Sequence, residues 1–164
     1  MNSKAVGEIT EGAILGQLVK SGCTVLLPFG NNKRYDLVVD FGDGKFNKVQ
    51  CKTGRYRRGC VVFNTASTSG KGKRKNYKED VDMFFVYCDF TKKIYKIPVE
   101  EAASGGSMVL RVEPTKNKQT YANIINWASK YGSCERCKES RPKDKDGKCV
   151  FCGGGLTFHQ IKIL

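Results

Sequence analysis

The sequence predicts an α/β (α+β) fold in which a mixed central sheet is flanked by helices. Three observations point there: a helical apolar period at the N-terminus, a succession of short β-rich runs broken by polar turns, and a second helical period over residues 119–131. With 164 residues and 40% apolar content, the chain suits one compact domain with a small appendage.

Residues 4–21 are predicted to be helical because Val6, Ile9, Ala13, Leu15, Leu18 and Val19 recur at roughly helical spacing, and Gly22 can end the run. The apolar run CTVLLPF, residues 23–29, reads as a strand, followed by the turn GNNKR. YDLVVDF (35–41) and FNKVQCKT (46–53) read as two strands joined by the GDG turn into a hairpin. CVVFNT (60–65) is a further strand, and the Ser-, Gly- and Lys-rich stretch 66–80 an exposed loop. VDMFFVYCDF (81–90) is the most apolar strand and the predicted centre of the sheet. IYKIPV (94–99) and MVLRVE (108–113) are later strands, and QTYANIINWASKY (119–131) a second helix with Tyr121, Ile124, Ile125 and Ala128 on one face.

Composition narrows the partners. There are 29 Lys and Arg against 16 Asp and Glu, a formal charge of +13, which draws a polyanion. Nucleic acid is favoured over a membrane surface, since no apolar run is long enough to span a bilayer and no basic amphipathic helix stands out. MNSKAVGEITEG lacks the apolar stretch of a signal peptide, so a cytoplasmic, nucleoid-associated location is expected.

The informative constellation is Asp36 with Gln50 and Lys52. Gln50 and Lys52 lie two apart on one strand and share a face, and Asp36 opens the neighbouring strand. A carboxylate, an amide and an ammonium then meet in one small space. The carboxylate can hold a divalent cation, and the lysine can orient or deprotonate an attacking water and offset charge on a phosphate. Glu11, or Glu8, on the first helix can supply a second carboxylate. An exposed turn aspartate and a solvated alternating strand would give the same letters with no chemistry.

These segments (GEITEGAILGQLVKSGCTVLLPFG, RYDLVVD, VQCKTGR, VDMFFVYC and IYKIPV) resemble the PD-(D/E)xK nuclease superfamily, and within it the group I intron-associated homing endonucleases, over roughly residues 4–130. The resemblance implies a nuclease core over 1–132 with catalytic residues Glu11, Asp36, Gln50 and Lys52, and magnesium held by Asp36, Glu11 and the backbone carbonyl of Cys51. Two positions depart from the superfamily pattern: Tyr35 replaces the usual proline, and Gln50 the usual acid. A neutral amide is a poorer ligand for a hard cation, which leaves the number of metals open. The implied activity is site-specific, magnesium-dependent cleavage of double-stranded DNA by a homo-oligomer, dimer or tetramer, since one site cuts one phosphodiester. A restriction-type nuclease or junction resolvase, or a non-catalytic zinc-containing DNA binder, are the alternatives.

Residues 52–78 carry many Lys and Arg and no Asp or Glu. Arg55, Arg57, Arg58, Lys73, Arg74 and Lys75 are predicted DNA contacts, with Tyr56 and Tyr77 among them. Of eight cysteines, Cys23, Cys51, Cys60 and Cys88 sit singly in apolar stretches and are predicted to be small buried residues. Cys134, Cys137, Cys149 and Cys152 form two CxxC pairs with the spacing of a structural zinc site, so 133–164 reads as a zinc-ribbon-like module with a terminal strand. Disulfides or an iron–sulfur cluster are the competing uses of these thiols. His159 is assigned no role.

Overall fold

The computed structural model describes residues 2–30, 32–68, 72–102, 106–114 and 125–131. Helix α1 runs over Ser3–Lys20. Asn2 caps it, its side chain accepting from the Ala5 amide at 2.8 Å. Gly22, at φ +76°, ends it as the sequence predicts, and the Cys23 amide returns to the Leu18 carbonyl.

Strands β1 (Thr24–Leu26), β2 (Leu37–Asp40) and β3 (Phe46–Thr53) follow. The predicted β2–β3 hairpin forms, antiparallel. Its turn is organised by Asp40, whose Oδ1 accepts from the amides of Gly42, Asp43 and Gly44, with both glycines at positive φ. Next come β4 (Arg55–Arg57), β5 (Cys60–Asn64), β6 (Ala66–Thr68), β7 (Arg74–Asn76), β8 (Met83–Cys88), β9 (Lys93–Pro98) and β10 (Ser107–Arg111).

The main sheet has the order β1-β2-β3-β8-β9. The β3–β8 pair is parallel and the other pairs are antiparallel, so the sheet is mixed, as expected. Its most apolar strand, β8, lies inside the sheet, consistent with the sequence reading. Strand alternation divides the core into two layers. On one face Val49, Cys51 and Phe85 pack on Ile14 and Leu18 of α1. On the other, Phe84 and Val86 pack on Val61 and Phe63 of β5 and on Met108 and Leu110 of β10. The second face is therefore covered by a three-stranded sheet, β10-β5-β4. The mixed central sheet of the predicted α+β class is present, and among the described residues one α-helix flanks it.

The second predicted helix does not form over 125–131, and its first half lies outside the described residues. Trp127 is extended and bridges Arg111, the Asn126 carbonyl accepts from the Arg111 amide at 2.8 Å, and only a 3₁₀ turn, Ala128–Lys130, follows. A strand edge takes up backbone groups that a helix would pair internally, and Ala128 and Tyr131 are buried by it. The stretch 66–80 also departs from a plain loop, because β6 and β7 pair into a two-stranded ribbon and Tyr77 is buried. Cys51 and Cys88 are buried as expected, whereas Cys23 and Cys60 are half-buried.

Candidate active site

Asp36 stands one residue before β2, and its amide donates to the Val49 carbonyl at 2.9 Å, so β3 positions it directly. Its Oδ2 accepts from the Cys51 amide at 2.7 Å and from Gln50 Nε2. Both bonds use the same oxygen, and Oδ1 takes part in neither. Gln50 is 9% exposed, and its bond to Asp36 satisfies an amide that would otherwise be costly to bury. Lys52, two residues on, projects from the same face, while Val49 and Cys51 turn toward α1. Asp36 and Gln50 are thus in direct contact, and the Lys52 charge acts to lower the Asp36 pKa.

Glu11 is brought in by the helix. Thr10 Oγ1 and Thr53 Oγ1 are 2.7 Å apart, pinning this turn of α1 to the end of β3. Burial raises the pKa of Glu11, and the Asp36 carboxylate and then Glu8 raise it further. Asp36 is also raised, chiefly by burial, against the opposing pull of the Cys51 amide, the Lys52 charge and the Gln50 amide. Asp36 is half-buried, and Glu11, though exposed on α1, lies near enough to feel its charge. Their charges would be favoured by a bound cation. Burial, with both carboxylates, pushes the Cys51 thiol well up, so the thiol stays neutral against α1.

The donor set fits a small hard cation. It offers the Asp36 and Glu11 carboxylates and main-chain oxygen, and a hard cation held by so few protein ligands completes its shell with water and phosphate oxygen. Among the described residues no third His, Cys, Asp or Glu joins such a group. Magnesium is the divalent ion that characteristically binds through one or two carboxylates plus substrate phosphate.

Beyond Lys52 opens a cleft of about 590 Å³, lined by Lys52, Thr53, Arg55 and Arg57, by β6 and by Tyr77. Arg55 and Arg57, two apart on β4, are both exposed. The other predicted DNA contacts do not line this cleft. Arg58 sits in the β4–β5 turn at φ +47°. Lys73 and Arg74 are exposed, Arg74 lying over Gly106, and Lys75 pairs with Asp80 at 3.6 Å. Two residues at this site escape the sequence reading. Lys52 Nζ donates to the Tyr77 hydroxyl at 3.0 Å, and Arg34 packs over the Tyr77 ring. The only sequence signal for Tyr77 was its place within the basic run.

Residues 1–134 match the family model for the PD-(D/E)XK endonuclease. The chain belongs to this family. As a PD-(D/E)XK endonuclease it is a DNA endonuclease, with a mixed sheet of the kind the family's core requires. Among solved structures it is similar to a bacterial homing endonuclease, I-Ssp6803I, at 27% identity and a TM-score of 0.56, over 70% of this chain and 79% of that one. No curated protein sequence matches this PD-(D/E)XK endonuclease. Its four clustered cysteines, Cys134, Cys137, Cys149 and Cys152, lie outside the described residues, as does the rest of the proposed module. No helix among the described residues is long and apolar enough to cross a membrane.

Proposed function

We propose that the chain is a magnesium-dependent, site-specific endonuclease of double-stranded DNA, of the homing type. The observation that carries this reading is a single carboxylate, Asp36, bonded to Gln50 and the Cys51 amide and acted on by the charge of Lys52, which lines a cleft bearing Arg55 and Arg57. Similarity to a homing endonuclease supports the type.

In this reading Asp36, Glu11 and the Cys51 carbonyl would hold magnesium, which supplies positive charge against the scissile phosphate when bound. Gln50 fixes the rotamer of Asp36 by occupying Oδ2, which leaves Oδ1 for the cation. Lys52 orients the attacking water and offsets the negative charge that grows on the phosphate oxygens. Arg55 and Arg57 hold the flanking backbone through phosphate contacts that are independent of base identity. Exposed Arg58, Lys73, Arg74 and Lys75 extend the positive surface outside the cleft.

One such site cuts one strand, so a homo-oligomer, dimer or tetramer, presents two sites to a pseudo-palindromic duplex. The CxxC pairs Cys134/Cys137 and Cys149/Cys152 bind a structural zinc ion through four thiolates, closed to substrate. The test is incubation of the protein with supercoiled plasmid, with magnesium or with EDTA. Nicked and linear products with magnesium alone, lost in Asp36→Ala, support the proposal. Cutting by Asp36→Ala, or cutting in EDTA, overturns it.

A further inference from the structure

We propose that Tyr77, clamped by Arg34, is a positioning residue for Lys52, holding the ammonium at the place where the phosphate is attacked. The inference deepens the nuclease reading and rests on it.

Tyr77 directly follows the ribbon strand β7 and is buried, in a stretch the sequence assigns to solvent. Its hydroxyl accepts from Lys52 Nζ at 3.0 Å, and Nζ lies 4.5 Å from the ring centroid. A lysine side chain has several rotatable bonds and little intrinsic preference for one direction. A phenol oxygen is a partner that restrains the ammonium without cancelling its charge, as a carboxylate would. The full positive field therefore remains available to a phosphate.

The ring is itself restrained from two directions. Phe84, on β8, meets it edge-on with centroids 5.6 Å apart. The Arg34 guanidinium lies 4.5 Å from its centroid, a cation–π contact. Arg34 is then tied to the chain on both sides of Tyr77. It donates to the Asn76 and Lys75 carbonyls at 2.8 and 3.3 Å, and its Nε pairs with Asp80 at 3.1 Å. A continuous set of contacts thus joins the exposed basic ribbon to the lysine of the site. Small displacements of a catalytic group are costly, so the hydroxyl carries weight out of proportion to one hydrogen bond.

The test is Tyr77→Phe, which keeps the ring, its contact with Phe84 and its burial, and removes only the oxygen. Single-turnover cleavage of a saturating labelled duplex in magnesium is compared with affinity for the same duplex in calcium and with Tm. Lys52→Ala sets the background rate. The expected result is a cleavage rate about tenfold below wild type, with Kd within about twofold and Tm little changed. A purely structural role would move Tm and leave that split absent. Should Tyr77→Phe melt markedly lower, Arg34→Gln leaves the hydroxyl in place and removes its clamp. A slower rate at saturating DNA supports the inference, and an unchanged rate overturns it. Tyr77→Phe cutting at the wild-type rate likewise overturns it while the nuclease reading stands. Wild-type protein that binds the duplex and never cuts it sinks the nuclease reading itself, and this inference with it.

Discussion

Replacing Asp36 by Asn removes a charge while keeping the shape and the acceptor that the Cys51 and Gln50 amides use. Burial holds the Asp36 carboxyl above the ordinary carboxylate range, and Asp36 in turn raises Glu11. A carboxyl with a raised folded-state pKa destabilises the fold wherever it must ionise. That cost is absent below the unfolded-state pKa, grows as pH rises from there to the folded-state pKa, and is complete above it. In EDTA at pH 7.5, Asp36→Asn should therefore be more stable than wild type, by about 1 kcal/mol if it behaves like other relieved active-site charges. For a chain of this size that is roughly 2–4 °C in Tm. In acid, below the carboxylate range, the advantage should vanish. Magnesium should invert the ranking at neutral pH. At about ten times its Kd it adds about 1.4 kcal/mol to a protein that binds it only when folded, and Asp36→Asn should gain little. Thermal melts of both proteins in EDTA and across a magnesium titration make the comparison. An Asp36→Asn protein that is less stable than wild type in EDTA, or a wild type whose Tm ignores magnesium, would refute the reasoning.

Other expectations concern the scaffold and the interface. Gly54→Ala would place a Cβ 2.6 Å from Val61 Cγ1 and 3.0 Å from Val86 Cγ1, where β3 passes into β4. Overpacking of this kind costs about 1–3 kcal/mol, measurable by urea unfolding, and a neutral outcome would mean that the two sheets separate easily. Arg55→Ala and Arg57→Ala should each weaken DNA binding across sequences and reduce the slope of log affinity against log salt by about 1, as filter binding over a salt series can show. Elemental analysis of the purified protein should find about one zinc per chain, lost in Cys137→Ser, and a metal-free protein with two disulfides would refute the zinc assignment.

Much of the site was readable because it depends on local rules. Alternation along FNKVQCKT puts Gln50 and Lys52 on one face, and β3 forms over those same residues. The turn chemistry of Asp40, Gly42 and Gly44 defines the hairpin that brings Asp36 alongside. The residues of α1 left Glu11 and Glu8 open as the second carboxylate and the family resemblance pointed to Glu11, whose neighbour Thr10 meets Thr53 at the end of β3. The features missed depend on distant partners. Trp127 is drawn into a bridge with Arg111, which no apolar period over 119–131 discloses. The ribbon strands β6 and β7 are polar and short, so no alternation marks them. Tyr77 meets Lys52 only because β8 returns parallel to β3 and places Phe84 opposite Gln50, beneath the tyrosine ring.

Lys52→Met offers the most direct measurement, since it keeps an unbranched side chain reaching to the Cε position and removes the ammonium. One labelled duplex carrying a cut site is used both for binding in calcium and for single-turnover cleavage in magnesium. If the Lys52 ammonium orients the attacking water and offsets the charge on the phosphate, the variant should hold the duplex with affinity close to wild type and leave it intact. Cleavage by Lys52→Met at the wild-type rate would place the chemistry elsewhere on the protein.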